Sequence, residues 1–91
     1  MSWSIQLAGT FKKRYAKLEP AERDLVDDKL RILAANPWHP SLRVKKIRGS
    51  GEFEASVNMD IRLAFCLEDG KIIVMLDVGH HDDLLRRRTR R

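Results

Sequence analysis

The spacing of apolar residues changes once along this chain, and that change most limits the folds it can adopt. Between residues 10 and 35 apolar side chains recur every three or four positions, which is typical of amphipathic helices. Between residues 52 and 78 they recur at every second position or run together, which is typical of strands. Helices followed by strands with short connections predict an α+β fold, with the helices packed on one face of a mostly antiparallel sheet.

The helical part is predicted to be a two-helix hairpin preceded by a short strand. The strand is "SWSIQLA", in which Trp3, Ile5 and Leu7 alternate with polar residues. Thr10 is the expected N-cap of the first helix, and Pro20 suits the first turn of the second. The residues expected to face the core are Phe11, Tyr15, Leu18, Val26, Leu30 and Leu33.

The second part predicts four strands that turn back on one another. They are a basic strand over about residues 42–47, then "EFEASVN", "IRLAFCL" and the nearly all-apolar "KIIVMLDV". "EDG" is a hairpin turn between the last two, and a short helical turn is expected after them. With the first strand, this predicts a four- to five-stranded sheet in a single domain of residues 1–87. Residues 88–91 are expected to form a disordered basic tail.

Arg62 is out of place in its strand, because it lies between two apolar residues, Ile61 and Leu63. An arginine there is costly to bury without a partner. Alternation puts Arg62 on the side opposite the helices, where Glu54 of the neighbouring strand is its natural partner. The pair is either a structural ion pair or a clamp for an anion.

The positive charge is clustered. The net charge is +5, residues 39–48 contain four basic residues and no acid, and residues 84–91 contain five and no acid. Between them, residues 52–83 contain eight acids. Two basic patches predict a phosphate-rich partner, although a merely solvated basic face explains them as well.

Other classes of protein are disfavoured by what the sequence contains. No apolar run approaches the roughly 20 residues that cross a membrane, and the N-terminal residues do not resemble a signal peptide. We therefore expect a cytoplasmic protein without a membrane partner. The single cysteine, Cys66, is expected to be a buried small side chain. We expect no cofactor and no metal, because four consecutive residues such as His80 to Asp83 rarely converge on one ion.

Order and spacing of several segments give a family resemblance. These are the helix hairpin, "KKIRG", and "MDIRLAFCLEDGKIIVMLDVGHHDDLL". Over about residues 3–87 the chain resembles the RelE/ParE superfamily of toxins from bacterial toxin–antitoxin pairs. Within it, "HP" before the basic strand, Asp60 before the arginine strand, and the "GHHDDL" ending resemble the YafQ subgroup of RelE-like mRNA interferases.

The resemblance implies a toxin that is a ribosome-dependent endoribonuclease acting on mRNA and inhibiting translation. It implies that His39, Asp60 and His81 line the cleavage site, and that a cognate antitoxin binds the protein in a hetero-oligomer. The chain departs from the family pattern in two places. Glu54 and Ser56 stand where many members carry lysines or a histidine, and Leu85 stands where an aromatic is common.

Cleavage of RNA by its own 2′-hydroxyl needs a base, an acid and a cation for the phosphate, and no metal. We assign the acid to His81, because its ordinary pKa lies near neutral pH, and the phosphate clamp to Arg62. Glu54, Asp60 and His39 remain alternatives for the base. The residues expected to contact RNA are Lys45, Lys46, Arg48, His80, Arg86 and Arg87.

Two other functions stay open. A gyrase-directed toxin of the ParE type shares the fold but needs no catalytic groups of its own. A relative that has lost catalysis and only binds RNA or an antitoxin would fit the missing aromatic.

Overall fold

The computed structural model describes residues 2–88 and has the predicted α+β architecture. Residues 89–91, most of the expected tail, lie outside the described residues. The elements in chain order are β1 (Ser4–Leu7), α1 (Gly9–Ala16), α2 (Pro20–Ala35), a 3-10 turn (Pro40–Leu42), β2 (Lys45–Lys46), β3 (Phe53–Ser56), β4 (Ile61–Glu68), β5 (Ile72–His80) and α3 (His81–Arg88). Within residues 2–88, no helix is long and apolar enough to cross a membrane.

The five strands form one sheet in the order β1-β5-β4-β3-β2. Strand β1 pairs with β5 in parallel, and every other pair is antiparallel. The prediction of a mostly antiparallel sheet of four to five strands is therefore confirmed. Because β1 pairs only with Ile72–Met75, the later residues of β5 have no strand on that side.

The core lies between the sheet and the helix hairpin. Phe11, Val26 and Leu33 from the helices are almost completely buried, as are Leu63 and Phe65 from β4. A second, smaller cluster lies on the other face of the sheet, where α3 places Leu84 against Ala64 and Ile47. This second layer explains why β5 is apolar along nearly its whole length.

The helix hairpin begins differently from the prediction. The N-cap of α1 is Ala8, not Thr10, because the Ala8 N–H is bound to the Met75 carbonyl at 2.9 Å and the helix starts at once with Gly9. Pro20 opens α2 as predicted, and Glu19 and Glu22 form a capping box there. The Tyr15 hydroxyl donates to Asp27 at 2.7 Å and joins the two helices. That hydrogen bond raises the pKa of Tyr15.

Two further boundaries differ. The predicted basic strand over residues 42–47 is paired only at Lys45–Lys46, because the buried Leu42 closes the 3-10 turn and Arg43 is left-handed with φ 50°. Arg88, which the sequence placed in the tail, is the last residue of α3. Its guanidinium donates to both carboxylate oxygens of Glu52, at 2.9 and 2.7 Å.

Candidate active site

One end of the β4–β5 pair gathers most of the predicted catalytic residues. Arg62 lies opposite Gly79, and Ile61 lies opposite His80. The ladder continues one residue further, because the His81 N–H donates to the Asp60 carbonyl at 2.7 Å. The register therefore brings Asp60 and Arg62 of one segment beside the two histidines of the other.

Arg62 is paired with Glu54, as the alternation predicted. Its Nε lies 3.5 Å from Oε1 of Glu54, and the two side chains are 17% and 5% exposed. Its Nη1 donates to the Asn58 carbonyl at 2.6 Å. Glu54 and the Asn58 carbonyl thus fix the guanidinium near the beginning of β4, beside Ser56 on β3.

Asp60 is bound to His80, not to the histidine that the family resemblance favoured. Oδ2 of Asp60 lies 2.8 Å from Nδ1 of His80. A carboxylate there accepts the Nδ1 proton and leaves Nε2 as a proton acceptor, so this hydrogen bond assigns the tautomer. The sequence could not predict which histidine binds the Asp60 carboxylate. The two histidines are adjacent in the chain, and only the tertiary geometry selects one of them.

The two histidines differ in their surroundings. Cross-strand neighbours share a face, so His80 lies with Ile61 on the face of the helix hairpin, whereas Gly79 lies with Arg62 on the face of α3. His81 opens α3, and its Nδ1 is buried without a hydrogen-bond partner among residues 2–88. A buried ring nitrogen without a partner is costly in a purely structural histidine.

His39 has a structural task in its loop. It precedes the 3-10 turn, and its Nδ1 lies 3.1 Å from the Ser41 amide, which donates to it, and 2.9 Å from the Ser41 hydroxyl. Nδ1 is thereby occupied as an acceptor. The structure therefore brings His39 to a loop beside the site and does not join it to Asp60.

A pocket of about 320 Å³ adjoins Arg62. Two cations, Arg43 and Arg62, and two hydroxyls, Ser41 and Ser56, line it together with the exposed Met59. Cations and hydroxyls in one concave surface suit a phosphate group. A second pocket of about 450 Å³ lies on the side of His80, between the helix hairpin and α3, and contains both acids and bases.

The residues predicted to contact RNA fall into two groups. Lys45, Lys46 and Arg48 are exposed along the β2 edge and the turn after it, where nothing in the described chain covers them. The C-terminal arginines are engaged in ion pairs, since Arg86 lies 3.5 Å from Asp83 and Arg87 is bound to Asp77.

Asp77 was missed by the sequence analysis. It is fully buried, and Arg87 donates to both of its carboxylate oxygens, at 3.1 and 3.0 Å. Nε of Arg14 lies 3.2 Å from Oδ1 of Asp77, and the Val78 N–H donates to the same oxygen at 2.8 Å. The aspartate inside "KIIVMLDV" could have predicted these ion pairs, because a carboxylate buried in an apolar strand needs cations beside it.

Cys66 is half-buried, not fully buried as predicted, and lies four residues along β4 from Arg62, outside both pockets. Burial, with help from Glu68 and Glu52, raises the pKa of the Cys66 thiol, which disfavours the reactive thiolate. Hydrogen bonding to Glu52 raises the pKa of Arg88. Over residues 2–88, no three side chains of His, Cys, Asp or Glu come together as a metal site.

Several solved structures share this architecture. A chain of the archaeal RelE–RelB complex from Pyrococcus horikoshii matches with a TM-score of 0.74 and 20% identity, over 88% of this chain and 96% of that one. A chain of the RelBE2 toxin–antitoxin complex from Mycobacterium tuberculosis matches with a TM-score of 0.76 and 22% identity, over 89% and 100%. The protein has the fold of the RelE-type toxins.

The RelE-type fold also relates it to the DinJ–YafQ toxin–antitoxin complex of E. coli, with a TM-score of 0.72 and 22% identity over 92% of this chain and 98% of that one. No protein-family model matches the sequence, and no curated protein is significantly similar to it. Architecture, rather than sequence, therefore connects this chain to the RelE-type fold.

Proposed function

We propose that the protein is the toxin of a toxin–antitoxin pair and a ribosome-dependent endoribonuclease that cuts mRNA. The observation that carries the proposal is the presence of two polar pairs at the same end of β4–β5, one on each face of the sheet. Asp60 is bound to His80, and Arg62, two residues further on, is paired with Glu54. The RelE-type fold, which the chain shares with subunits of toxin–antitoxin complexes, supports the same reading.

In the proposed reaction the 2′-hydroxyl of one nucleotide attacks the adjacent phosphate, and the bond to the 5′-oxygen breaks. Arg62 stabilises the charge that builds on the phosphate oxygens, and its guanidinium is already held in place. Glu54 is 5% exposed, so its role is to fix Arg62 rather than to meet the substrate. The chain's own side chains supply cation, base and acid, and no metal is needed.

The two proton transfers are assigned to the two histidines. His80 accepts the 2′-hydroxyl proton at Nε2, because Asp60 holds its Nδ1. His81 donates a proton to the departing 5′-oxygen. His80 is the last residue of β5 and His81 the first residue of α3, so both lie where the strand passes into the helix.

The positive charge of the β2 edge indicates which partners the protein binds. The exposed lysines of the β2 edge suit the phosphates of mRNA and ribosomal RNA, and they give affinity without sequence readout. The same basic surface suits an acidic antitoxin segment, which would neutralise it in a hetero-oligomer.

The test is primer extension on an mRNA incubated with ribosomes and the protein, beside a sample without ribosomes and one with His81→Ala. We expect new cuts within the ribosomal A site that need ribosomes and are lost in the variant. Uncut mRNA in every sample would contradict the proposal, and inhibition of DNA supercoiling by gyrase would then identify the ParE-type activity instead.

A further inference from the structure

The loop after α2 holds an exposed indole in a fixed position. Trp38 is 53% exposed, while its neighbour Pro37 and the nearby Leu42 are buried and anchor the loop in the protein. The Trp38 N–H donates to Oδ1 of Asn36 at 3.0 Å, and the His39 N–H donates to the Asn36 carbonyl at 3.1 Å. The ordering of the loop does not depend on covering the indole.

Trp38 leaves at least one face of its ring open to a ligand. Its ring centroid lies 5.6 Å from that of Phe53 with 79° between the planes, an edge-to-face contact. In that geometry Phe53 covers at most one of the two indole faces. Phe53 itself stacks on Phe65, with centroids 5.7 Å apart and planes 23° apart, so this aromatic row rests on the centre of the sheet.

The basic edge strand lies directly beside this row. Lys46 is the cross-strand partner of Phe53, and Lys45 is the partner of Glu54. Cross-strand partners share a face, so Lys46 is on the side of Trp38 and Lys45 is on the side of Glu54 and Arg62. The two exposed lysines therefore line a path over the sheet edge, from the Arg62 site to the indole.

We propose that Trp38 is a base-stacking platform for single-stranded RNA, with Lys46 holding the adjacent phosphate. The proposal rests on the proposed function and names a second substrate subsite for it. Stacking on aromatic rings beside cations is the physical basis of single-strand binding that tolerates any sequence. Phe53, which the indole contacts, lies three residues along β3 from Ser56, the partner of Arg62, which is about 10 Å, and the two side chains lie on opposite faces of the sheet. The nucleotide on Trp38 is therefore not the cleaved one.

Charge decides between RNA and a protein as the occupant. Residues 39–48 contain four basic residues and no acid, and Lys45, Lys46 and Arg48 are all exposed. An exposed indole at the margin of such a surface meets the two needs of a nucleic-acid strand, a flat apolar surface and cations.

The experiment uses fluorescence of the Trp3→Phe variant, in which Trp38 is the only tryptophan. It is titrated with an eight-nucleotide RNA carrying 2′-O-methyl groups, so that cleavage cannot occur. We expect quenching of Trp38 that weakens with salt. Binding measured by anisotropy of labelled RNA should weaken about 5- to 100-fold in Trp38→Leu and be largely retained in Trp38→Phe. Lys46→Gln should lower the slope of log K against log salt by about 0.7.

Leu25→Ala is the matched control, since it removes another exposed apolar side chain, 42% exposed, from α2. It should leave RNA affinity unchanged. RNA affinity in Trp38→Leu equal to wild type, with an unchanged thermal midpoint, overturns the proposal. Equal quenching of Trp38 by a poly-glutamate peptide overturns it in favour of a protein partner. mRNA cleavage of wild type on ribosomes is assayed separately, so a failed subsite and a failed function give different results.

Discussion

Arg87 donates to both carboxylate oxygens of Asp77, and this contact fastens α3 across the sheet. Asp77 lies in β5 and is fully buried, whereas Arg87 lies ten residues later in the helix. Arg14 of α1 approaches the same carboxylate at 3.2 Å. One buried acid thus joins α1, strand β5 and the helix that begins with His81.

Replacing Asp77 should be strongly destabilising. In Asp77→Asn the buried carboxylate loses its charge, and the side chains of Arg14 and Arg87, which are 39% and 28% exposed, lose their counter-charge. Breaking a buried ion pair from one side costs about 3–5 kcal/mol. Urea unfolding followed by circular dichroism measures the loss. Asp83→Asn, at an exposed pair with Arg86, is the control and should cost less than about 1 kcal/mol. Equal midpoints for the two variants would show that the buried contact contributes nothing.

Gly79→Ala should act through the same contact. A Cβ at Gly79 would lie 2.9 Å from Nη2 of Arg87, so the guanidinium must move away from Asp77. We expect a loss of about 1–3 kcal/mol in the free energy of unfolding. When Arg87 is already replaced by alanine, Gly79→Ala should lower the free energy of unfolding by at least about 0.5 kcal/mol less than it does in the wild type. Strict additivity in this double-mutant cycle would contradict the explanation.

The two histidines should be separable by kinetics. His81→Ala and His80→Ala should each reduce ribosome-dependent cleavage by roughly 10²–10⁴-fold, because each removes one positioned proton-transfer group. Asp60→Asn should reduce cleavage as well. An amide can donate as well as accept, so the variant no longer fixes which ring nitrogen of His80 carries the proton. The measurement is the single-turnover rate of mRNA cleavage, with unfolding midpoints as a check on folding. Wild-type rates for His80→Ala would remove it from the mechanism and return the base to another residue.

His39→Asn should leave cleavage nearly intact. The asparagine oxygen can accept the Ser41 N–H in place of Nδ1, so the loop keeps its shape. We expect a rate within about tenfold of wild type, whereas a proton-transfer role would cost at least about 10²-fold. The same single-turnover assay distinguishes these outcomes, and His39→Ala shows the cost of losing the loop contact as well.

Tyr15 should titrate above the pH at which a free tyrosine does. Its hydrogen bond to Asp27 raises its pKa, and Tyr15 is the only tyrosine, so absorbance near the phenolate band reports on it alone. Because the folded-state pKa is raised, the stabilisation is present below the ordinary pKa of about 10 and is lost as the pH rises through the raised value. Asp27→Ala should move the titration back towards the ordinary value, and an unchanged curve would exclude the hydrogen bond as the cause.

The sequence predicted the Arg62–Glu54 pair because alternation along two adjacent strands is a local property. It could not predict that Asp60 binds His80, since that depends on how two strand ends meet. It assigned Arg87 to RNA, although the structure shows that guanidinium bound to Asp77. The same alternation puts Ala64 on the face of Arg62, but the covering of that face by Leu84 depends on where α3 packs.

The periodicity of apolar residues by itself determined the helices, the strands, and which side of β3 and β4 faces the helix hairpin, because burial at fixed spacing needs only neighbouring residues. Tertiary structure decided the partner of each charged group. The pair of Glu52 and Arg88 is separated by 36 residues, and the pair of Asp60 and His80 by 20. Such contacts depend on strand register and helix docking, which many distant packing interactions fix together, so no local pattern specifies them.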